Sequence, residues 1–484
     1  MPCASEPPQA AFDVGFLGLT GLPSGFDNLA RAMPRGTIRW AWGAGAALAA
    51  LACSSPPGAD GGAAAAAARA ACAFGAGDLP AKTLADYPVG SAIPLDHLVL
   101  VMQENRTFDH YFSSLTVPGQ TVDGASPTAT NPDPTHPGAS VSRFHQPALC
   151  FDPPAAGWTV EHRDLDDGGM DGFTAQSADK GDPSGARVLG YYDATDLPFY
   201  YSLANAFAIS DRHFCSVLST TYPNRLVYMA GTPFGETSNV IPPEADDAGS
   251  GYPNVFLRLN RAQVSWTFYF QAEPPSAGLF PDTWAANPSH FAPLSQFYSD
   301  ADAGLLPSVS WVEASDFQGG VSPAEEPPCD PQVGEAFVEG VVRAVIASPQ
   351  WPSTALFVTW DEGGGLYDHV VPPPACVPDD IPLSVPDGGF SVAFDQYGLR
   401  VPLLVVSPYA KRGYVSHQVT DHASILRFVE ARFGLPAMTH RDANAVPPFD
   451  MFDFSHPDPS APTLVPSVVD AGAEAYCAAK YPPP

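Results

Sequence analysis

Trp360-Asp361-Glu362-Gly363-Gly364-Gly365-Leu366-Tyr367-Asp368-His369 follows directly on the apolar run Thr354-Ala355-Leu356-Phe357-Val358-Thr359. The run is short, apolar throughout and closed by turn residues, which reads as a strand buried on both faces. Three glycines then permit a sharp turn, so the two acids stand at the carboxyl end of a sheet strand, where open α/β sheets place their ligand sites. The design recurs earlier in the chain, where Leu98-Val99-Leu100-Val101-Met102 leads into Gln103-Glu104-Asn105-Arg106-Thr107-Phe108-Asp109-His110-Tyr111-Phe112. There too a carboxylate and a second oxygen donor close a buried strand. Hard cations and phosphates are handled at such places.

The elements around these two strands alternate in type. Residues Glu335 to Ala347 place Phe337, Val338, Val341 and Val345 on one helical face and stop before Pro349. Leu403-Leu404-Val405-Val406-Ser407, set between Pro402 and Pro408, reads as another short buried strand. Asp421 caps a helix with Ile425, Phe428, Val429 and Phe433 on one face, ended by Gly434 and Pro436. Helices interleaved with buried strands predict an α/β fold with a largely parallel sheet.

Between the two acid-ended strands lies Ser219-Thr220-Thr221-Tyr222-Pro223-Asn224-Arg225. Hydroxyls before a Pro-Asn pair make a turn or a helix cap, and equally a candidate nucleophile. A hydroxyl attacks only when a base or a metal activates it, and the two strand ends could supply the metal. His422, beside the capping Asp421, is an imidazole at a helix start, a position that is structural more often than chemical.

Composition narrows the partners. The 484 residues carry 22 Lys and Arg against 52 Asp and Glu, a formal charge of -30 that repels nucleic acid and anionic membranes. With 55 prolines and 42 glycines the chain is rich in loops yet retains enough apolar segments for a folded domain. Arg35 and Arg39 precede the small apolar run Trp40 to Ala52 and Cys53, so residues 33–53 read as a signal or lipoprotein signal peptide starting at Met33. Residues 1–32 are then a doubtful extension, and the chain is secreted or held in the cell envelope, with membrane attachment only through a lipid on Cys53. Residues 54–92 read as a low-complexity tether, and 441–484 as a Pro-rich wrapping tail that Cys477 ties down. Cys72, Cys150, Cys215, Cys329, Cys376 and Cys477 remain, an even number whose pairing stays open and whose spacing suits no metal.

Six blocks, in order over residues 93–440, resemble the bacterial phosphoesterase family of non-haemolytic phospholipases C and acid phosphatases. They are Asp96-His97 with Glu104 to Phe112; Gly169-Met170-Asp171-Gly172-Phe173; Thr221-Tyr222-Pro223-Asn224-Arg225; Leu306-Pro307-Ser308-Val309-Ser310-Trp311; Asp361 to His369; and Asp421-His422-Ala423-Ser424. The resemblance implies an alkaline-phosphatase-like three-layer α/β/α sandwich that hydrolyses phosphate esters at a divalent metal of unspecified identity. It also implies Glu104, Asn105, Asp361 and Glu362 as metal ligands and Thr221 as nucleophile.

The chain departs from the family at two histidines. Ala156-Gly157-Trp158 stands where members carry Asp-His-Ser-Trp, and Glu326 precedes Pro327-Pro328 where they carry a histidine. His369, His162 and His422 are the substitutes this leaves for contact with phosphate or leaving group. About 40 residues follow the matched region, too few for the extra β-domains of the larger phospholipases, which favours a small-substrate phosphatase or a compact phospholipase. The rival expectation is a non-catalytic surface lipoprotein that retains the fold.

Overall fold

A strand buried on both faces must be covered on both, and the sheet is built that way. The computed structural model describes residues 59–242, 254–271, 275–314, 319–385 and 389–483. The doubtful extension, the signal segment and Cys53 lie outside them. Eight strands form the main sheet: β1 (His97–Gln103), β2 (Ala208–Ser210), β3 (Trp266–Phe270), β4 (Phe291–Pro293), β5 (Val309–Glu313), β6 (Thr354–Trp360), β7 (Leu403–Val406) and β8 (Tyr414–Ser416). Their order is β8-β2-β7-β6-β1-β5-β3-β4. All neighbours pair in parallel except β7, which runs antiparallel to both β6 and β2.

The helices used below are α1 (Ala59–Ala70), α2 (Trp158–Leu165), α3 (Pro198–Ala206), α4 (Thr221–Ala230), α5 (Pro331–Ala347), α6 (His422–Phe433) and α7 (Ala471–Lys480). Side chains alternate across a strand, so Phe357 and Trp360 of β6 point to opposite faces. Phe357 meets Phe428 of α6 with ring centroids 5.1 Å apart, while Trp360 meets Tyr200 of α3 at 5.4 Å. Helices therefore cover both faces, and the fold is a three-layer α/β/α sandwich. Helix α4 packs on α6 and α5 packs on α3, so Thr221 approaches from the Phe357 side.

Local signals fix the ends of α6. The Asp421 carboxylate accepts from Ser424 N, and the Ser424 hydroxyl accepts from Asp421 N, a reciprocal capping box. Gly434 closes the helix at φ +68°, the left-handed backbone that glycine adopts without strain.

Parts of the expected tether and of the expected tail form elements that pack on the body. The alanine-rich part of the expected tether forms α1, because alanine is the best helix former and the segment is anchored at its end. Arg69 is buried and bonds Asp86 at 2.7 Å, Cys72 is disulfide-bonded to Cys376, and Phe74 packs on Ala437 and Ala443. Composition hid this because the anchors are single residues. The expected tail likewise belongs to the body from its start: buried Arg441 donates to the Ser216 carbonyl at 2.9 Å. Cys477 of α7 is bonded to Cys150, which ties the tail down, and Cys215 and Cys329 are buried free thiols.

Candidate metal centre and nucleophile

The register of the sheet brings the acids together. Gln103 of β1 lies beside Trp360 of β6, so Glu104 and Asp361, the next residue of each, leave the sheet side by side. On the other flank β5 ends in Glu313, with Val312 paired to Val101. Three parallel strands thus deliver three buried carboxylates to one edge.

A single guanidinium joins them. Arg225 donates from Nη2 to Glu104 Oε1 at 2.6 Å, from Nη1 to Glu313 Oε2 at 3.2 Å and from Nε to Asp361 Oδ2 at 3.2 Å. Arg225 stands one helical turn after Thr221 on α4, so the two side chains share a face. Thr221 Oγ1 donates to the remaining oxygen, Glu104 Oε2, at 3.4 Å. The Asn105 backbone N–H donates to Asp361 Oδ1 at 3.1 Å, and Glu362 accepts from Gly364 N at 3.0 Å.

The glycine turn is dictated by close approach. Gly364 sits at φ +61°, and a Cβ there would lie 2.7 Å from Asn105 Cβ. At Gly365, φ +72°, a Cβ would lie 2.0 Å from the Ala155 carbonyl oxygen. Asn105 itself adopts φ +56°, a left-handed conformation that asparagine tolerates better than most residues.

Burial raises the pKa of Asp361, with Arg225 pulling it back, and burial likewise raises Glu362. Unpaired charge is costly in such a place, and a cation relieves it. The donor set fits a hard divalent ion: every donor is oxygen, and buried Asn105 Oδ1 has no hydrogen-bond partner among the described residues. Glu104, Asn105, Asp361 and Glu362 are the residues that would hold it.

The three histidines occupy different places. His422 is fully buried, and its Nε2 donates to the Asp361 carbonyl at 2.7 Å. Burial lowers its pKa to about 4, so the neutral ring props the backbone of an acid in the cluster. His369 donates from Nδ1 to Asp109 Oδ2 at 2.6 Å and lies 3.3 Å from Asp123 Oδ1. Arg400 holds Asp368 with two bonds of 2.9 and 3.1 Å and reaches Asp109 at 3.1 Å; Asp109, Asp368 and His369 also bring ligand atoms within 4.8 Å of one another, a grouping that could hold a metal ion. His162 donates from Nδ1 to the Trp158 carbonyl at 2.6 Å and stacks on Phe390 beside a cavity of about 200 Å³ that Val217 and Leu218 also line.

Sequence reasoning missed two members of the cluster. Glu313 ends the apolar run Val309-Ser310-Trp311-Val312, the same signature as Glu104 and Asp361, and could have been found by it. Arg225 lies four residues after Thr221, a spacing that puts both on one helical face and is the signal for it.

An α/β sandwich whose parallel strands deliver acids and a helix-borne hydroxyl to one edge defines a protein built around an oxygen-donor site. The chain belongs to the phosphoesterase family, whose pattern matches residues 95–436. It is 32% identical over 447 residues to a non-hemolytic phospholipase C of Burkholderia pseudomallei, covering 78% of this chain and 62% of that protein. Phospholipase C B of Mycobacterium tuberculosis is 32% identical over 455 residues, 81% of this chain and 82% of that one. Non-specific phospholipase C1 of Arabidopsis thaliana is 31% identical over 380 residues, 72% of this chain and 69% of that one. Among solved structures, a protein in the alkaline phosphatase superfamily from Vibrio parahaemolyticus aligns at 10% identity and a TM-score of 0.33, over 69% of this chain and 90% of that one.

Proposed function

We propose that the protein hydrolyses phosphoric esters, with Thr221 as nucleophile and a divalent cation held by Glu104, Asn105, Asp361 and Glu362. The observation that carries this is the placing of Thr221 Oγ1 3.4 Å from Glu104 Oε2, one turn from the arginine that gathers Glu104, Asp361 and Glu313. When bound, the cation would supply positive charge for the phosphoryl oxygens and a lower pKa for the hydroxyl.

The chain's own residues do the rest. Glu104 accepts the hydrogen bond of the Thr221 hydroxyl and so aims its oxygen and receives its proton. Arg225 fixes the three carboxylates, and the start of α4 presents the positive end of a helix dipole to an anionic substrate. Attack of Thr221 Oγ on phosphorus forms the Thr–O–P bond as the ester P–O bond breaks, and the departing alkoxide takes a proton from water and leaves as the alcohol. Water then cleaves the phosphothreonine, restoring the hydroxyl and releasing the phosphorylated fragment.

The relatives named phospholipase C favour a phospholipid, the alcohol then being a diacylglycerol. Export is part of this reading: the signal-like segment 33–53 and the pairs Cys72–Cys376 and Cys150–Cys477 suit an oxidising compartment. No helix among the described residues is long and apolar enough to cross a membrane, and attachment rests on lipid at Cys53. The test is to quench turnover of a labelled phosphate ester in acid and map the label. It should be found on Thr221. Label on another residue would move the nucleophile, and metal binding without turnover of any phosphate ester would favour the non-catalytic lipoprotein.

A further inference from the structure

Helix α2 buries two acids for which the scheme above has no use. Glu161 and Asp164 are 0% and 1% exposed, and none of their four carboxylate oxygens has a hydrogen-bond partner among the described residues. Carboxylates are seldom buried without a partner, because lost hydration must be replaced by a cation, a donor or a proton. The two differ in what they face. The Glu161 carboxyl lies within hydrogen-bonding reach of Glu362, one of the acids at the end of β6.

The start of α2 is set against the nucleophile segment. Gly157, which precedes the helix, is so placed that a Cβ on it would lie 3.5 Å from the methyl of Thr220. The turn of Gly364 and Gly365 is wedged between Asn105 and the Ala155 carbonyl, so the chain leading into α2 borders the same glycine loop. Arg225 directs Nη2, Nη1 and Nε at Glu104, Glu313 and Asp361. Around these segments the buried oxygens without a hydrogen-bond partner among the described residues include both of Glu161, the amide oxygen of Asn105 and the Thr220 hydroxyl.

We propose that Glu161 is a further ligand of the divalent cation, facing Glu362 across it and joining Asn105 in an all-oxygen site beside Thr221. The assignment rests on the phosphoesterase reading of that site. It accounts for the burial of an acid on a helix that starts at Trp158, against the nucleophile segment. The competing arrangement is a pair of carboxyls, Glu161 and Glu362, sharing a proton with no part in cation binding.

Calorimetric titration of Ca²⁺, Mn²⁺ and Zn²⁺ into the chelator-treated full chain, with thermal melts of each sample, separates the two. Wild type should bind one of these ions and melt higher with it. Glu161→Gln should weaken that ion by about tenfold or more and lose most of the rise in melting temperature. If Glu161→Gln binds within about twofold of wild type while Glu362→Gln loses the ion, Glu161 is no ligand and the site reading stands. A wild type that binds none of the ions, or a Glu362→Gln that binds them unchanged, overturns the site reading and the proposal with it. Should Glu161→Gln fail to fold, Glu161→Asp retains the charge and draws the carboxylate back by one methylene. Weakened binding by that variant supports the proposal, and undiminished binding overturns it.

Discussion

Arg225 holds Glu104 more closely than Glu313 or Asp361, with Nη2 2.6 Å from Oε1 and both side chains nearly fully buried. The same guanidinium holds Glu313 and Asp361, so one residue of α4 neutralises acids from three neighbouring strands. Removing one partner of a buried ionic group leaves its charges uncompensated, which costs more than the intact group contributes.

Arg225→Met should therefore destabilise the protein by about 3–5 kcal/mol in the absence of metal. Denaturant unfolding of chelator-treated samples measures this. A loss under about 1 kcal/mol would mean that water or protons already neutralise the acids. Arg225→Lys keeps the charge but cannot reach three carboxylates with a rigid fork, and should fall between wild type and Arg225→Met.

Gly365→Ala tests whether the glycine turn is required by close approach. A Cβ would collide with the Ala155 carbonyl, and φ is positive, so strain adds to overlap. We expect a loss of at least about 2 kcal/mol together with weakened activity, since the turn carries Glu362 on one side. Gly434→Ala, at a helix end where a Cβ meets nothing within 4 Å, carries only the strain of φ +68° and should cost about 1–2 kcal/mol and leave activity unchanged.

The His369–Asp109 pair predicts a pH dependence of stability. Burial disfavours the His369 charge, but the hydrogen bond and charge of Asp109 outweigh it and raise its pKa above 6.5. Burial likewise opposes the Asp109 charge, while Arg400 and His369 hold it down at about 2. The histidine contribution is thus complete below pH 6.5 and is lost as pH rises through the raised folded value. The aspartate contribution is complete above its ordinary 3.8 and is lost as pH falls toward 2. The stability difference between wild type and His369→Gln should be largest between those limits, pH 3.8 to 6.5, and shrink on the alkaline side. A difference that grows with pH in urea melts would contradict the pairing.

Much of this arrangement was legible in the sequence, for a physical reason. Strands β1 and β6 are apolar throughout because both faces are covered, so the first acid after each stands out. The cap and stop of α6, Asp421 and Gly434, are local signals of backbone chemistry. What escaped were partnerships between distant segments. Nothing local says that Arg225 will meet Glu313, that Arg69 will anchor an alanine helix, or that Cys477 will pair with Cys150. Glu161 escaped because an acid on a short, largely polar helix reads as solvated surface until its burial is known.

The proposed attack of Thr221 on phosphorus at the edge of the acidic cluster is the step on which the phosphoesterase reading turns. Its most direct test is the release of nitrophenol from nitrophenyl phosphate and nitrophenyl phosphocholine by metal-loaded wild type and Thr221→Ala. The account predicts hydrolysis by wild type and a loss of at least about a thousandfold in kcat for Thr221→Ala, with metal affinity and melting temperature nearly unchanged. A Thr221→Ala protein that turns over at the wild-type rate would contradict it.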